Sequence, residues 1–508
     1  MPRKKEVLSY TLYIPENLDI DAMLVENPPN FKYERDNFVY IASLPCSIME
    51  SYRNRNKEYE IAIDKGYVPI YSRALKQKVD NYKPYIQYLI DNDIWECDGK
   101  SSANTGKSLW YRFTPQYNTP IKPITINSSR LIRQFTKRTR PYVEEEQVLS
   151  ETSLSEVPYL IKWFNPALRI DIEKVKIFLH NLYQSDCEVK GAGAAQRREN
   201  SLWMSAQKIN NESNNNLSID SVGKRFYSPL TNLKSELRAY VTYDNKKLVS
   251  LDLINSQFFF CLVLFDIEVF DKCKVADILT LYYNRSLQDK EIALHIEKIR
   301  SLIEKEGRKI LCDEFKEAIY DGLIYEVIGV YIGTYHKYSH VEVTEEDLKR
   351  MRKRTKEEVM KIVFGREMKG KVKLDNEGLP VNNNPKIDFN YYFPIIDKIF
   401  RLIKEPNYKV LAWVLQYIEA HVLLYTVCPV IAAERPDIPL FTIHDSIVTT
   451  EEHAEYVYQR MITIIEETIG FVPKIKPEIW EEGNIELVEE EDTELLEEAF
   501  EKEEETKS

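Results

Sequence analysis

Cysteine is scarce and unpatterned in this chain. Seven occur in 508 residues (positions 46, 97, 187, 261, 273, 312 and 428), with no C-x-x-C pair. An odd number at such spacings argues against a disulfide framework or a zinc ribbon and suits a reducing cytosol. Long apolar runs are lacking as well. Phe258–Phe265 reads as the longest, far short of the ~20 residues that a bilayer requires. The start, MPRKKEVLSYTLYIP, is basic but has no apolar h-region and no small-residue cleavage site, so no signal peptide is expected. These absences predict a cytoplasmic protein with no membrane partner. No internal repeat is evident.

Net positive charge is also missing: the formal charge is −12. Residues 481–508 carry fourteen Asp/Glu against two Lys, so they account for all of it and residues 1–480 are neutral overall. A neutral body can still hold a basic cleft. The acidic tail reads as a solvated, solubilising end, with competition for a basic cleft as the alternative. The length exceeds one ordinary core, which predicts two to four domains.

Residues 80–96 (VDNYKPYIQYLIDNDIW) have helical periodicity and lead into two strand-like runs, IWEC and SLWYRFT. Helix plus hairpin over 78–115 suggests a winged-helix-like unit, for which DNA contact and protein packing both stay open. The intervening SSANTGKS imitates a phosphate-binding P-loop. Ser101 stands where the first glycine belongs, and a strand rather than a helix follows Lys107, so an NTPase is rejected. FTPQYNTPIKP (113–123) reads as a linker. RLIRQFTKRTRP (130–141) is a phosphate-contacting strip or a solvated face. A helix is expected over 166–184, and a polar, Gly- and Asn-rich loop over 189–216.

Four segments carry candidate chemistry. In KLVSLDLINSQFFF (247–260), Asp252 ends a strand-like run, where a carboxylate is costly to bury unless it is paired or metal-bound. In LKRMRKRTKEEVMKIVFG (348–365), Arg352, Lys356, Met360 and Phe364 recur every four residues and fall on one helical stripe. Two cations, a thioether and an aromatic suit a nucleoside triphosphate, although basic surface helices share the pattern. IPLFTIHDSIVTT (438–450) reads as a β-hairpin with His444-Asp445-Ser446 at its turn. SVGKRFYSPLTNLKSELR (221–238) offers Arg225 and Asn232 to a nucleic-acid backbone or minor groove.

In this order the segments resemble the family A DNA polymerases and the single-subunit phage-type RNA polymerases, over about residues 220–470. SVGKRFYSPLTNL is similar to their T-G-R-x-S…P-N-L segment. LVSLDLINSQ resembles motif A, D-Y-S-Q-I-E. Arg352-x3-Lys356-x7-Phe364-Gly365 resembles motif B, R-x3-K-x7-Y-G, with its spacing kept, and TIHDSIV resembles motif C. VLQYIEAH, with Gln416, is similar to the family's glutamine helix. Two departures stand out. Phe364 replaces the motif B tyrosine. Gln257 stands five residues after Asp252, where the DNA enzymes keep a glutamate beside the ribose 2′ position and the RNA enzymes a small residue.

The resemblance implies an α+β right-hand fold: an antiparallel palm sheet carrying both aspartates, helical fingers carrying motif B, and a thumb from within 150–215. It divides the chain into 1–120 with the winged-helix-like unit, a linker and thumb-like region at 121–216, a palm and fingers core at 217–480, and the tail. The implied activity is extension of a primer 3′-OH by two Mg²⁺ ions, with Mn²⁺ as a substitute, held by Asp252, Asp445 and the Leu253 carbonyl. Arg352 and Lys356 would hold triphosphate, Met360 and Phe364 base and sugar, and Gln257 the ribose. Arg225, Asn232, Gln416 and His444 would meet the duplex. Partners would be template, primer, nucleoside triphosphates and other replication proteins. The first 220 residues show no matching set of carboxylates for a proofreading exonuclease. An RNA polymerase or primase-like enzyme, and a non-catalytic replication protein with a degenerate palm, stand as the alternatives.

Overall fold

The computed structural model describes residues 9–51, 62, 65–99, 108–136, 154–210, 217–284, 286–311, 314–334, 344–366 and 385–482. The P-loop look-alike, apart from Ser108, and the acidic tail beyond 482 lie outside these residues. The fold is mixed α+β. The chain forms two compact units, each discontinuous: residues 1–144, 164–216 and 228–245, and residues 145–163, 217–227 and 246–508.

In the first unit, strand β1 (Tyr10–Pro15) precedes helix α1 (Arg35–Ser51), whose Phe38, Val39, Ile41 and Ala42 are fully buried. Strand β2 (Val68–Pro69) is followed by helices α2 (Ser72–Lys78) and α3 (Lys83–Asp91). Pro84 lies in the first turn of α3, where a missing N–H costs nothing. Tyr85, Ile86, Tyr88 and Leu89 turn inward from α3, the spacing of an amphipathic helix. Strands β3 (Trp95–Cys97) and β4 (Trp110–Phe113) pair antiparallel, and β2 completes a sheet in the order β2-β4-β3. The expected helix and hairpin are both present.

Two expectations fail here. The predicted linker contains strand β5 (Ile121–Ile126), which pairs antiparallel with β1, Tyr10 opposite Ile126 and Pro15 opposite Ile121. Its Pro123 is tolerated because a two-stranded sheet consists only of edges. The predicted polar loop is mostly a 19-residue helix. After β6 (Leu168–Ile170), helix α4 (Ile172–Lys190) runs to Gly191 at φ 79°, and helix α5 (Ala192–Asn210) packs back on it. Gly193 and Asn210 lie at the ends of α5 and Asn200 at its middle, while Leu202, Met204, Ala206 and Ile209 supply a buried stripe. Residues 211–216 fall outside the described set.

The second unit is built on four antiparallel strands of a six-stranded sheet. After β7 (Ser218–Ile219) and β8 (Phe226–Tyr227), which pair with each other, comes β9 (Lys246–Leu253). It lies between β11 (Ser446–Thr450) and β12 (Ile475–Ile479), and β10 (Phe441–Ile443) flanks β11. Leu248 through Leu251 are all buried, so β9 is covered on both faces and reads as a continuous apolar run.

Helix α6 (Ser256–Cys261) follows β9 directly. A series of helices, including α7 (Ile324–Tyr331), fills the stretch before α8 (Glu345–Phe364). Helix α8 starts three residues earlier than its apolar pattern suggests. Thr344 and Asp347 form a reciprocal capping box, Thr344 Oγ1 accepting from Asp347 N at 3.2 Å and Thr344 N donating to Asp347 Oδ2 at 3.1 Å. Its far end is held by two buried lysines. Lys386 Nζ donates to Ile362 O (2.7 Å) and Lys404 Nζ to Gly365 O (3.2 Å), satisfying carbonyls that a helix end leaves open.

Among the described residues, one helix, Val410–Glu434, is long and apolar enough by length and composition to cross a membrane, and 61% of its apolar window is buried inside the protein. The expectation that Phe258–Phe265 is the longest apolar run misses it, because Gln416, Glu419 and His421 interrupt the pattern. Its first part, α9 (Val410–Val422), is a core helix.

Candidate functional site

Antiparallel pairing brings the two aspartates to neighbouring strand ends. Asp252 on β9 lies opposite Ser446, the first residue of β11, and Asp445 precedes it in the hairpin turn. The main chains meet directly, Leu253 N donating to Asp445 O at 3.5 Å. His444 and Asp445 form a two-residue loop closed by the Ile443–Ser446 pair, with His444 at φ 48°. Histidine is among the side chains that enter this left-handed region more readily than most. Ser446 Oγ donates to Ile443 O (2.9 Å) and braces the turn. Both aspartates are half-buried. Ser250, two residues before Asp252 and on the same strand face, donates through Oγ to Asp252 Oδ2 at 3.0 Å.

A loop between β7 and β8 stands beside the turn. Asp220 organises it by accepting from the backbone N–H groups of Val222 (2.7 Å), Gly223 (2.7 Å) and Arg225 (2.8 Å). The Tyr227 ring meets the His444 ring edge-on at 6.0 Å. Gln416 lies against Gly223, where a Cβ would come within 2.9 Å of its Oε1.

Arg225 does not fit the expected duplex-contacting role. It is 4% exposed, and its Nε and Nη2 bond to Glu419 Oε1 at 2.9 and 2.7 Å. Gln257 shares that partner, its Nε2 donating to Glu419 Oε2 at 2.8 Å. All three side chains are buried. Burial opposes the Arg225 charge, but Glu419, then Tyr227 and Asp445, outweigh it and raise the guanidinium pKa. A buried charge survives only when paired and hydrogen-bonded, and Glu419 supplies both. Sequence reasoning passed over Glu419. Its signal was a lone carboxylate within the apolar run VLAWVLQYIEAHVLL. Gln257 is therefore placed inside the unit rather than against an open pocket.

The stripe on α8 divides in two. Arg352 and Lys356 are half-buried, whereas Met360 and Phe364 are 0% and 1% exposed. Arg352 is ion-paired with Glu326 and donates to Gly322 O (3.2 Å). The Arg352 guanidinium and Lys356 ammonium lie over the Tyr325 ring at 5.6 and 5.9 Å. Met360 and Phe364, as placed, pack the interior and anchor the helix. Asn232 is exposed and belongs to the first unit.

Two carboxylates with a backbone carbonyl nearby form a hard-oxygen donor set, the chemistry that Mg²⁺ accepts. Among the described residues no group of three or more His, Cys, Asp or Glu side chains forms a metal cluster. No family model and no curated protein matches this chain.

Proposed function

We propose that this protein is a template-directed nucleotidyltransferase, a family A-like DNA polymerase that extends a primer 3′-OH without proofreading. The observation carrying this reading is the meeting of Asp252 and Asp445 at adjacent strand ends, although nearly two hundred residues separate them in the chain. In this reading the sheet β10-β11-β9-β12 is the palm, α8 belongs to the fingers, α4 and α5 form the thumb, and the β2-β4-β3 sheet with α2 and α3 is a winged-helix-like unit. The setting is cytosolic, and the partners are template, primer, nucleoside triphosphates and other replication proteins.

When bound by Asp252, Asp445 and the Leu253 carbonyl, two divalent ions would lower the pKa of the primer hydroxyl and neutralise the triphosphate. The remaining work belongs to the chain itself. Ser250 fixes the orientation of the Asp252 carboxylate. His444 and its ring contact with Tyr227 set the turn that presents Asp445. The Arg225–Glu419–Gln257 network locks the layer behind, so the site need not reorganise as charge develops. Arg352 and Lys356 take up phosphate oxygens, Arg352 exchanging Glu326 for them. Met360 and Phe364 hold α8 in place from inside.

Gln257, tied to Glu419, is not positioned to crowd a 2′-hydroxyl, so an RNA polymerase or primase-like activity is the second reading. Primer extension on defined DNA and RNA templates, with dNTPs and rNTPs side by side, separates the two. Asp445→Asn is expected to abolish synthesis while duplex binding persists. Full activity in that variant would sink the assignment of Asp445, and no synthesis by the unmodified protein would leave a non-catalytic binding protein.

A further inference from the structure

A cavity of about 260 Å³ opens within the first unit, remote in sequence from every residue assigned above. One wall is apolar: Pro45, Cys46 and Met49 from α1, Phe113 from β4, and Ile121 from β5. Desolvation pushes the Cys46 thiol up to about 12, so it remains a neutral part of this wall. The lining also includes Lys65, Arg112 and Arg197, together with Asn118, Asn200 and Tyr117. Among the described residues, none of those lining the cavity is a carboxylate.

The cationic side is built rather than incidental. Arg112 is held from behind: its Nη1 donates to Lys65 O (2.9 Å), its Nε and Nη2 to Glu96 Oε2 (3.1 and 2.7 Å), and its guanidinium lies 4.6 Å from the Tyr67 ring centroid. Arg197 passes between two glycines. A Cβ on Gly66, at φ 86°, would stand 3.2 Å from Arg197 Cδ, and one on Gly193 would stand 3.4 Å from its Nη1. Asn118 donates to Gly193 O (3.3 Å) and Asn200 to Thr119 O (2.9 Å), which ties α5 to the segment entering β5.

Ligand pockets commonly run from about 300 to 1,000 Å³ with a mostly apolar lining and a few placed polar groups. This cavity lies just below that range, so its occupant is small. An aromatic-bearing wall accepts a planar ring. Two guanidiniums and an ammonium accept an anion, and guanidinium is the group whose fork fits phosphate.

We propose that this cavity binds a nucleoside monophosphate, its base against Met49, Phe113 and Ile121 and its phosphate on Arg112, Arg197 and Lys65. The proposal does not depend on the reading of Asp252 and Asp445. It gives the N-terminal unit a nucleotide site of its own, distinct in sequence and in unit from the carboxylate pair.

The test uses the full chain and 8-azido-AMP as photolabel, with AMP and inorganic phosphate as competitors. The label is expected on peptides covering residues 45–49, 112–121 or 193–201, with AMP displacing it far better than phosphate. Arg197→Ala should weaken AMP binding by about tenfold to a hundredfold, the range for losing a charge-assisted hydrogen bond, while Asp445→Asn leaves it unchanged. Peptide mapping on the unmodified protein keeps the test decisive even if Arg197→Ala folds poorly. Absence of labelling, labelling confined to residues 246–482, or displacement by phosphate as effective as by AMP would overturn the proposal. Loss of AMP binding in Asp445→Asn would do the same.

Discussion

The rim of the second unit's sheet and the layer directly behind it differ in kind. At the rim, Asp252 and Asp445 are half-buried, at the end of a strand and in a two-residue turn. Behind them, Arg225, Glu419 and Gln257 form a closed, fully buried ionic network. The same division runs along α8, where Arg352 and Lys356 reach outward and Met360 and Phe364 are sealed. Residues that a motif groups together thus serve two purposes. One set is partly open to solvent, and the other is sealed within the unit.

Substitutions can break that contrast. The largest effect is expected at the rim: Asp252→Asn should remove primer extension while urea denaturation shows a stability change within about 0.5 kcal/mol, as at a surface position. A large loss of stability there would erase the distinction. In the layer behind, Glu419→Ala leaves Arg225 buried and unpaired and should cost about 3–5 kcal/mol. The double change Arg225→Met with Glu419→Met should recover most of that, since apolar replacement of a buried pair is often neutral. Failure to recover would show that the network does more than fill space. Phe364→Tyr adds a hydroxyl in a sealed site and should cost about 1–3 kcal/mol; an unchanged stability with an altered dNTP-to-rNTP ratio would instead put residue 364 in an open sugar pocket. Ser250→Ala should lower kcat by about tenfold or less, through loss of one hydrogen bond to Asp252. The smallest effect on stability is expected from Arg352→Ala, below about 1 kcal/mol for a partly exposed ion pair, although triphosphate KM should rise.

Much of this was legible where local pattern and tertiary demand agree. The hairpin around His444 and Asp445 announced itself by two apolar runs flanking a polar trio, and β9 by a continuous apolar stretch. Helix α3 and the strands after it followed their periodicity. What escaped were features set by partners distant in sequence. Glu419 draws Arg225 and Gln257 inward, and nothing local to either residue signals that. Helix α5 was hidden by its Gly and Asn residues, although its buried stripe was present. Strand β5 was hidden by prolines that only an edge position allows. The outer and inner halves of α8 have the same four-residue spacing, and spacing alone does not say which end is covered.

The position of β9 between β11 and β12 has a consequence in time. Its partners lie roughly 200 residues further along the chain. At about 5–20 residues per second, a ribosome needs about 10–40 seconds to supply them. Throughout that interval the apolar strand ending in Asp252 lacks these two partners, and its exposed edges invite association with other chains. The pairing of Asp252 with Asp445 is therefore among the last features of the molecule to exist, and the nascent protein is most in need of a chaperone just before that pairing forms.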